Sequence, residues 1–162
     1  MSDLLLVIER SALATWVREA PTLWAYPTIL FLHTVGLGFL VGLNTAIDLR
    51  ILGVARQLPL APMRRLFPIM WAGFWVNAAS GVALLAADAT TKLLNPVFGI
   101  KLAFIALGVA NMGMFKVRVF DAPVPEAAPH ATLIAVSSLV AWVGATTAGR
   151  LMGYLGPVAG LQ

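Results

Sequence analysis

The chain contains only two histidines, and one of them, His33, lies within the apolar stretch LHTVGLGFLVGLNTAIDLR. Ionisable side chains are costly in hydrocarbon, so a histidine in such a stretch is expected to face other helices or a cavity. A neutral imidazole is also a common ligand of haem iron and of other metals. His33 is therefore the first candidate for a metal ligand.

Further polar residues lie within apolar segments at spacings of three or four residues. Such spacings place them on one face of a helix, so each segment carries a single polar stripe. Four stripes directed inward are typical of a helical bundle. The stripes are His33, Leu37, Leu40, Asn44 and Asp48; Gly73, Asn77, Ser80, Leu84 and Asp88; Lys101, Phe104, Gly108, Asn111 and Phe115; and Trp142, Thr146 and Arg150.

The composition indicates a membrane protein. Of the 162 residues, 60% are hydrophobic and 11% are charged, whereas about a quarter of a soluble domain is charged. Period-two alternation is absent, so the apolar segments are expected to be helices, each long enough to cross a bilayer. We predict an all-α integral membrane four-helix bundle, a single membrane domain over residues 1–162. The spans are expected at about residues 27–47, 66–87, 97–117 and 131–155.

Residues 2–20 precede the first span and are predicted to form an interfacial amphipathic helix. Leu5, Ile8, Ala12 and Trp16 would share its apolar face. A helix of this length with a polar opposite face is expected to lie along the membrane surface rather than to cross it.

Basic residues predict the orientation. Most of them fall in or beside the loops after the first and third spans, and the positive-inside rule places these loops in the cytoplasm and both termini on the other side. The net charge of +4 is therefore interpreted as a topology and lipid-headgroup signal, and not as a nucleic-acid surface. The residues concerned are Arg50, Arg56, Arg64, Arg65, Lys116 and Arg118.

Helix rise sorts the polar residues into two depths. His33, Asp88, Lys101 and Arg150 are expected to converge in the outer half of the bundle, with Asn77 between the two depths. A second layer near the cytoplasm would contain Asn44, Asp48, Asn111 and Lys116.

The outer layer has two interpretations. In the first, Asp88 neutralises Lys101 or Arg150 and His33 bonds a neighbour, since buried charges must be paired. In the second, His33 is the axial ligand of a haem, and Lys101 and Arg150 hold its propionates or an anionic quinone-like group.

Asn77 and Trp142 would then line the same pocket. His130 opens the fourth span at the cytoplasmic side, roughly 20 Å from His33 by helix rise, so it is not expected to be a second ligand.

Two other features suggest different roles. Met112 and Met114 are soft ligands that could bind copper(I), but residues two apart on a helix point to different faces. Two glycine pairs with GxxxG spacing predict close helix packing, within the bundle or with another protein or a second copy. These pairs are Gly38 with Gly42 and Gly149 with Gly153.

Over nearly its whole length, the chain resembles a family of small bacterial four-span membrane proteins of unknown function. The motifs that carry the resemblance are the first-span histidine followed by DLR-x-LG, NP-x-F-x-x-K-L at the start of span three, and AGR-x-x-x-Y at the end of span four. The resemblance implies a location in the bacterial inner membrane, where the positive-inside rule would place both termini in the periplasm.

More distantly, the layout is similar to HemJ-type protoporphyrinogen oxidases and to CopD-type copper-resistance membrane domains. The HemJ class binds haem b, passes electrons to quinone, and depends on a histidine early in span one and a lysine at the start of span three. His33 and Lys101 occupy the matching positions. The Tyr-Leu-Pro-Arg stretch of that class is replaced here by AIDLRILG.

Three functional hypotheses follow. The first is a haem b protein in quinone-linked electron transfer or oxidation, with His33, Lys101, Arg150, Asn77 and Trp142 at the cofactor. The second is a non-enzymatic accessory or structural subunit of a larger membrane complex. The third, CopD-like copper transport, has the least support because the chain lacks cysteine and paired metal ligands.

Overall fold

The computed structural model describes residues 2–122, 124 and 128–155, with side chains from residue 5 to residue 154 of these. Every regular element in these ranges is a helix, as expected for an all-α membrane bundle. The helices are α1 (Ser2–Glu9), α2 (Ala12–Glu19), α3 (Tyr26–Ile51), a 3₁₀ helix (Ala61–Leu66), α4 (Phe67–Ala86), α5 (Ala89–Leu93), α6 (Pro96–Met114), a π-helical turn (Phe115–Phe120) and α7 (Ala131–Leu155).

Four of these helical stretches are long and apolar enough to cross a membrane, in agreement with the four predicted spans. The third continues past its predicted end at residue 117, because the π-helical turn extends it to Phe120. Their outward faces carry large apolar side chains such as Phe31, Trp75 and Val143, each more than 60% exposed. A protein in water rarely exposes so much contiguous apolar surface, so these faces are suited to lipid.

The N-terminal segment differs from its prediction, because it forms two helices rather than one. Ser11 separates them by capping α2, where its hydroxyl oxygen accepts a hydrogen bond from the Ala14 amide at 3.3 Å. A side-chain cap of this kind favours a helix start at that residue. The predicted apolar face is therefore wrong for this segment: Ala14 and Val17 are fully buried, whereas Trp16 is exposed.

Both short helices are docked on the corner between α4 and α5. Glu9 Oε1 accepts hydrogen bonds from the amide and from the hydroxyl of Thr90, each at 2.6 Å. The Thr90 hydroxyl bond, followed by the Thr90 amide bond, lowers the pKa of Glu9 from its usual value. Arg18 donates to the Ala87 carbonyl at 3.2 Å. These polar contacts fix the segment at the end of the bundle where α3 begins.

Glycine contacts set the pairing of α3 with α4. A Cβ atom added to Gly36 would lie 2.8 Å from the amide nitrogen of Asn77 and from the carbonyl oxygen of Gly73. Real Cβ atoms do not approach backbone so closely, so only glycine permits this crossing. Small residues have this role in membrane helices generally, because they let two backbones approach.

Aromatic rings packed on glycines join α6 to α7. The Trp142 indole lies against Gly108, where a Cβ would be 2.8 Å from the ring. The Phe104 ring of α6 likewise lies against Gly144 of α7, where an added Cβ would be 2.7 Å from the ring. The two helices are antiparallel, and each supplies one ring and one glycine to the contact.

The two helix pairs meet where α3 packs against α7. Asn44 Nδ2 donates to Ser138 Oγ across this contact at 2.5 Å. At the same end of the bundle, the rings of Phe67 and Phe120 pack edge to face with centroids 5.3 Å apart. We call this end the arginine-rich side, defined by residues 50–66 and 116–122, and the opposite end the terminal side.

The glycine crossing leads to a matched test. Gly36→Ala is expected to destabilise the protein by about 1–3 kcal/mol, because its methyl group must displace backbone that is already in contact. Gly38→Ala, two residues away, places its methyl group where no atom lies within 4 Å. Thermal unfolding in detergent measures both, and equal stabilities for the two variants would contradict the crossing.

Candidate functional site

A cavity of about 440 Å³ lies between all four membrane helices on the terminal side. Its lining includes the five residues that the haem hypothesis places at the cofactor: His33, Asn77, Lys101, Trp142 and Arg150. Its volume falls within the range of roughly 300–1,000 Å³ that is typical of pockets for small molecules and cofactors.

His33 and Asn77 are joined by reciprocal hydrogen bonds between α3 and α4. The His33 ring donates from Nδ1 to the Asn77 carbonyl oxygen at 2.9 Å, and the Asn77 side chain donates from Nδ2 to the His33 carbonyl oxygen at 2.7 Å. Each residue thus offers its side chain to the backbone of the other. We call this pair the His33–Asn77 clasp.

The clasp determines which imidazole nitrogen is available. A carbonyl oxygen only accepts, so Nδ1 carries the hydrogen and Nε2 keeps its lone pair. Nε2 has no hydrogen-bond partner among the described residues. It is also not one of the polar atoms in these residues that are both fully buried and without a partner. Metal-bound histidines commonly donate their other ring nitrogen to a carbonyl in this way. The imidazole is therefore held as a ligand would be.

Two residues of α4 hold the ring in place. Ser80 Oγ lies 3.2 Å from Nδ1, and its own hydroxyl donates to the Val76 carbonyl at 2.6 Å. A Cβ added to Gly81 would lie 3.0 Å from Cε1 of the ring. The sequence analysis placed Ser80 on the polar stripe of its helix but did not assign it to the site, and it did not consider Gly81. Their spacing from Asn77, three and four residues, is the signal that could have identified them.

Lys101 and Arg150 bring positive charge to the cavity from α6 and α7. The Lys101 stem runs beside Gly149, where a Cβ would be 3.7 Å from Cε. Neither cation is in an ion pair within the described part of the chain. Lys101 is half-buried and Arg150 is exposed, and two cations on one cavity without a carboxylate partner make it suited to an anionic guest.

The predicted role of Asp88 as their counter-ion is wrong. Asp88 lies 3.6 Å from Lys92, one turn along the chain, and lines a different cavity with Glu9 and Arg18. The reason is that α4 ends at Ala86, so Asp88 belongs to the corner before α5 and not to the stripe.

Most of the remaining wall of the cavity is apolar. Trp142 is buried against Gly108, and its Nε1 hydrogen has no acceptor among the described residues. Leu37, Phe74 and Ile105 add apolar surface from three other helices, and Thr34 and Thr146 also lie in the lining. Such a surface excludes water and accommodates a flat, largely apolar molecule.

The predicted second layer is divided. Asn44 and Asp48 bond each other and Ser138, whereas Asn111 donates to Ser137 at 2.9 Å on another face of α7. Lys116 lies apart from both groups, in a small cavity with Arg64 and Trp71. The division arises because Ser137 and Ser138 are adjacent and therefore point in different directions.

The other candidate ligands lie away from the cavity. His130 is exposed just before α7, at the opposite end of that helix from Arg150, in agreement with the sequence analysis. Met112 is fully buried and Met114 is exposed, so the two thioethers point to different faces as expected. No group of three or more His, Cys, Asp or Glu side chains in the described ranges could hold a metal ion.

No family model, curated protein or solved structure matches the chain. The similarity to HemJ-type and CopD-type proteins stays a prediction from the motifs.

The clasp predicts that substitutions of Asn77 and of Ser80, the two polar α4 side chains beside the His33 ring, have unequal effects on the protein. Asn77→Ala removes a hydrogen bond between helices and is expected to cost about 1 kcal/mol of stability, which is typical of such bonds in membranes. It is also expected to loosen the His33 ring, visible as broadening of the His33 signals in ¹⁵N NMR of the imidazoles.

Ser80→Ala is the matched comparison and is expected to have the smaller effect, because it leaves both hydrogen bonds of the clasp in place, whereas Asn77→Ala removes the one from Asn77 Nδ2 to the His33 carbonyl. Sharp His33 signals with unchanged stability in Asn77→Ala would contradict the clasp.

Proposed function

We propose that the protein is a haem b-binding integral membrane protein in quinone-linked electron transfer or oxidation. The observation that carries this proposal is the His33 ring, held through Nδ1 with Nε2 left free, on a cavity that also contains two unpaired cations. A single imidazole, an apolar wall and two cations are the groups that a haem with two propionates requires.

His33 is the proposed axial ligand. The carbonyl of Asn77 fixes its tautomer and makes Nε2 a better donor, because a hydrogen bond from Nδ1 increases the basicity of the ring. Ser80 and Gly81 keep the ring from rotating away from the cavity. Asn77 is thus a positioning residue in this account.

Lys101 and Arg150 are the proposed partners of the propionates. They enter from neighbouring helices and lack a carboxylate partner in the described ranges, so binding two carboxylates would neutralise the site. Arginine suits this role because its planar group donates two parallel hydrogen bonds to one carboxylate. The Trp142 indole would form part of the wall, with Leu37 and Phe74.

A bound haem supplies one-electron oxidation and reduction. The chain's own contribution is to hold the ligand atom, balance the charge and exclude water from the cavity. A quinone is the proposed redox partner, because it is apolar enough to reach these helices from the lipid. The wide exposure of apolar side chains on all four spans gives it a route along their surface.

We further propose that the protein lies in the bacterial inner membrane, with both termini in the periplasm. The positive-inside rule supports this orientation, because the arginine-rich side has more lysine and arginine. Arg64 and Asp121 form a 2.8 Å ion pair on that side, between the loops that follow the first and third spans. Both loops therefore face the same compartment.

A non-enzymatic accessory subunit is the second candidate. Gly38 and Gly42 lie on one face of α3, and no atom of the described part of the chain comes within 4 Å of a Cβ added at either position. The GxxxG spacing on an open face is suited to a helix of a partner protein or of a second copy. Purification in a gentle detergent separates the two candidates, since a partner-free monomer with bound cofactor would contradict the accessory role.

The haem proposal predicts a Soret absorption band in protein purified from haem-replete cells. His33→Ala is expected to remove this band or shift it strongly, because the axial ligand is lost. His130→Ala is the matched control, since that imidazole is exposed at the other end of the bundle and should leave the spectrum unchanged. The proposal fails if the wild type has no Soret band, or if the band is indifferent to His33→Ala.

The proposed orientation can be tested by cysteine labelling, because the chain has no cysteine of its own. Thr22→Cys on the terminal side is expected to react with a membrane-impermeant maleimide added to intact spheroplasts. Gln57→Cys on the arginine-rich side should react only after the membrane is opened. The reverse pattern would overturn the orientation, and labelling of both positions from one side would overturn the four-span topology.

A further inference from the structure

Asp48 is an acidic side chain that the proposed haem site does not use. It is completely buried, although it lies only three residues before the end of α3. Leu40, on the same stripe, lines the cavity, and Asp48 lies two helical turns, about 12 Å, further toward the arginine-rich side. The carboxyl group is therefore enclosed between the cavity and that surface.

The polar contacts of Asp48 lack one hydrogen-bond donor. Asn44 Nδ2 donates to Asp48 Oδ2 at 3.1 Å and to Ser138 Oγ at 2.5 Å, which uses both of its hydrogens. The Ser138 hydroxyl is a further hydrogen-bond partner of Asp48. Asp48 Oδ1 and Asn44 Oδ1 are both sealed from solvent and have no partner among the described residues. An ionised carboxylate and an amide oxygen can only accept. Two enclosed acceptors on contacting side chains therefore need a proton or a cation.

No protein cation meets that need in the described ranges. The ion pairs there join Arg18 to Glu19, Arg64 to Asp121 and Lys92 to Asp88, and none includes Asp48. Several ionisable groups lie toward the same end on α3 itself and on the neighbouring elements, but none is within 4.0 Å of the Asp48 carboxyl group. They are Arg50, Arg64, Arg65, Lys116, Arg118 and His130.

We propose that Asp48 is a proton-binding site, a neutral carboxylic acid enclosed beneath the cavity. A proton on Asp48 Oδ1 turns an enclosed acceptor without a partner into a hydroxyl group, and it removes a negative charge that would be costly in an enclosed site without a counter-ion. Protonation requires no other change: one proton binds one carboxylate oxygen, and the charge of the side chain falls from −1 to zero. A proton rather than a metal ion is favoured because the site offers few oxygen ligands.

The position of Asp48 indicates where its proton comes from. The end of α3 at Ile51 is about 5 Å away by helix rise, which is less than half the distance to Leu40 at the cavity. Exchange is therefore expected from the arginine-rich side. A role in electron transfer rests on the proposed function: because protonated Asp48 carries no negative charge, it does not oppose an electron that a quinol delivers to the cavity.

Infrared spectroscopy of the purified full chain tests the protonation state directly. A protonated Asp48 gives a carboxylic acid C=O band that is separate from the carboxylate and amide bands. The band is expected in the wild type at neutral pH, and Asp48→Asn should remove all of it. Asp121→Asn, which changes a carboxylate that is ion-paired with Arg64, is the matched control and should leave the band unchanged.

A second variant covers the case in which Asp48→Asn does not fold. Asn44→Ala removes the hydrogen bond to Asp48 Oδ2, so the C=O band is expected to move to higher frequency without loss of intensity. His33→Ala should leave the band in place, so failure of the haem proposal and failure of this one are distinguishable.

Absence of the C=O band at neutral pH would overturn the proposal. A band that appears only when sodium is replaced by a bulky organic cation would also overturn it, because a metal ion would then occupy the site.

Discussion

The arrangement of this bundle depends on the reciprocal hydrogen bonds between His33 and Asn77. Each side chain donates to the backbone carbonyl of the other residue, at 2.9 Å and 2.7 Å, so the bonds join two helices and orient one imidazole at the same time. They form only because Gly36 and Gly73 let the backbones of α3 and α4 approach. In a membrane, where water does not compete inside the protein, a polar contact of this kind fixes rotation and depth together.

Charge is the second constraint on the site. The cavity contains Lys101 and Arg150 without a carboxylate in the described ranges, while the carboxyl group of Asp48 is enclosed farther down α3 without a cation. These two cations and this one acid thus lie at different levels of the bundle and are not paired with each other. An anionic cofactor at one level and a proton at the other would satisfy both needs.

The sequence was sufficient to predict the four spans, and three of the four residues of the predicted outer layer, His33, Lys101 and Arg150, line one cavity. Helical periodicity determines which side chains share a face. The sequence was not sufficient for contacts that depend on helix ends. Asp88 leaves the stripe because α4 ends at Ala86, and the cap at Ser11 breaks the N-terminal segment into two helices. The sequence analysis also emphasised Gly38 and Gly42 for their spacing, whereas the closest helix crossing uses Gly36, which has no such motif.

The central claim is that a carboxylate-bearing haem is held between His33 and two unpaired cations. It is tested most directly by comparing the affinity of the cofactor-free protein for haem with its affinity for haem dimethyl ester, which has no free carboxylates. The account predicts tighter binding of haem, with the difference reduced in Lys101→Met and in Arg150→Met. Equal affinities for the two molecules in the wild type, or binding of neither, would contradict it.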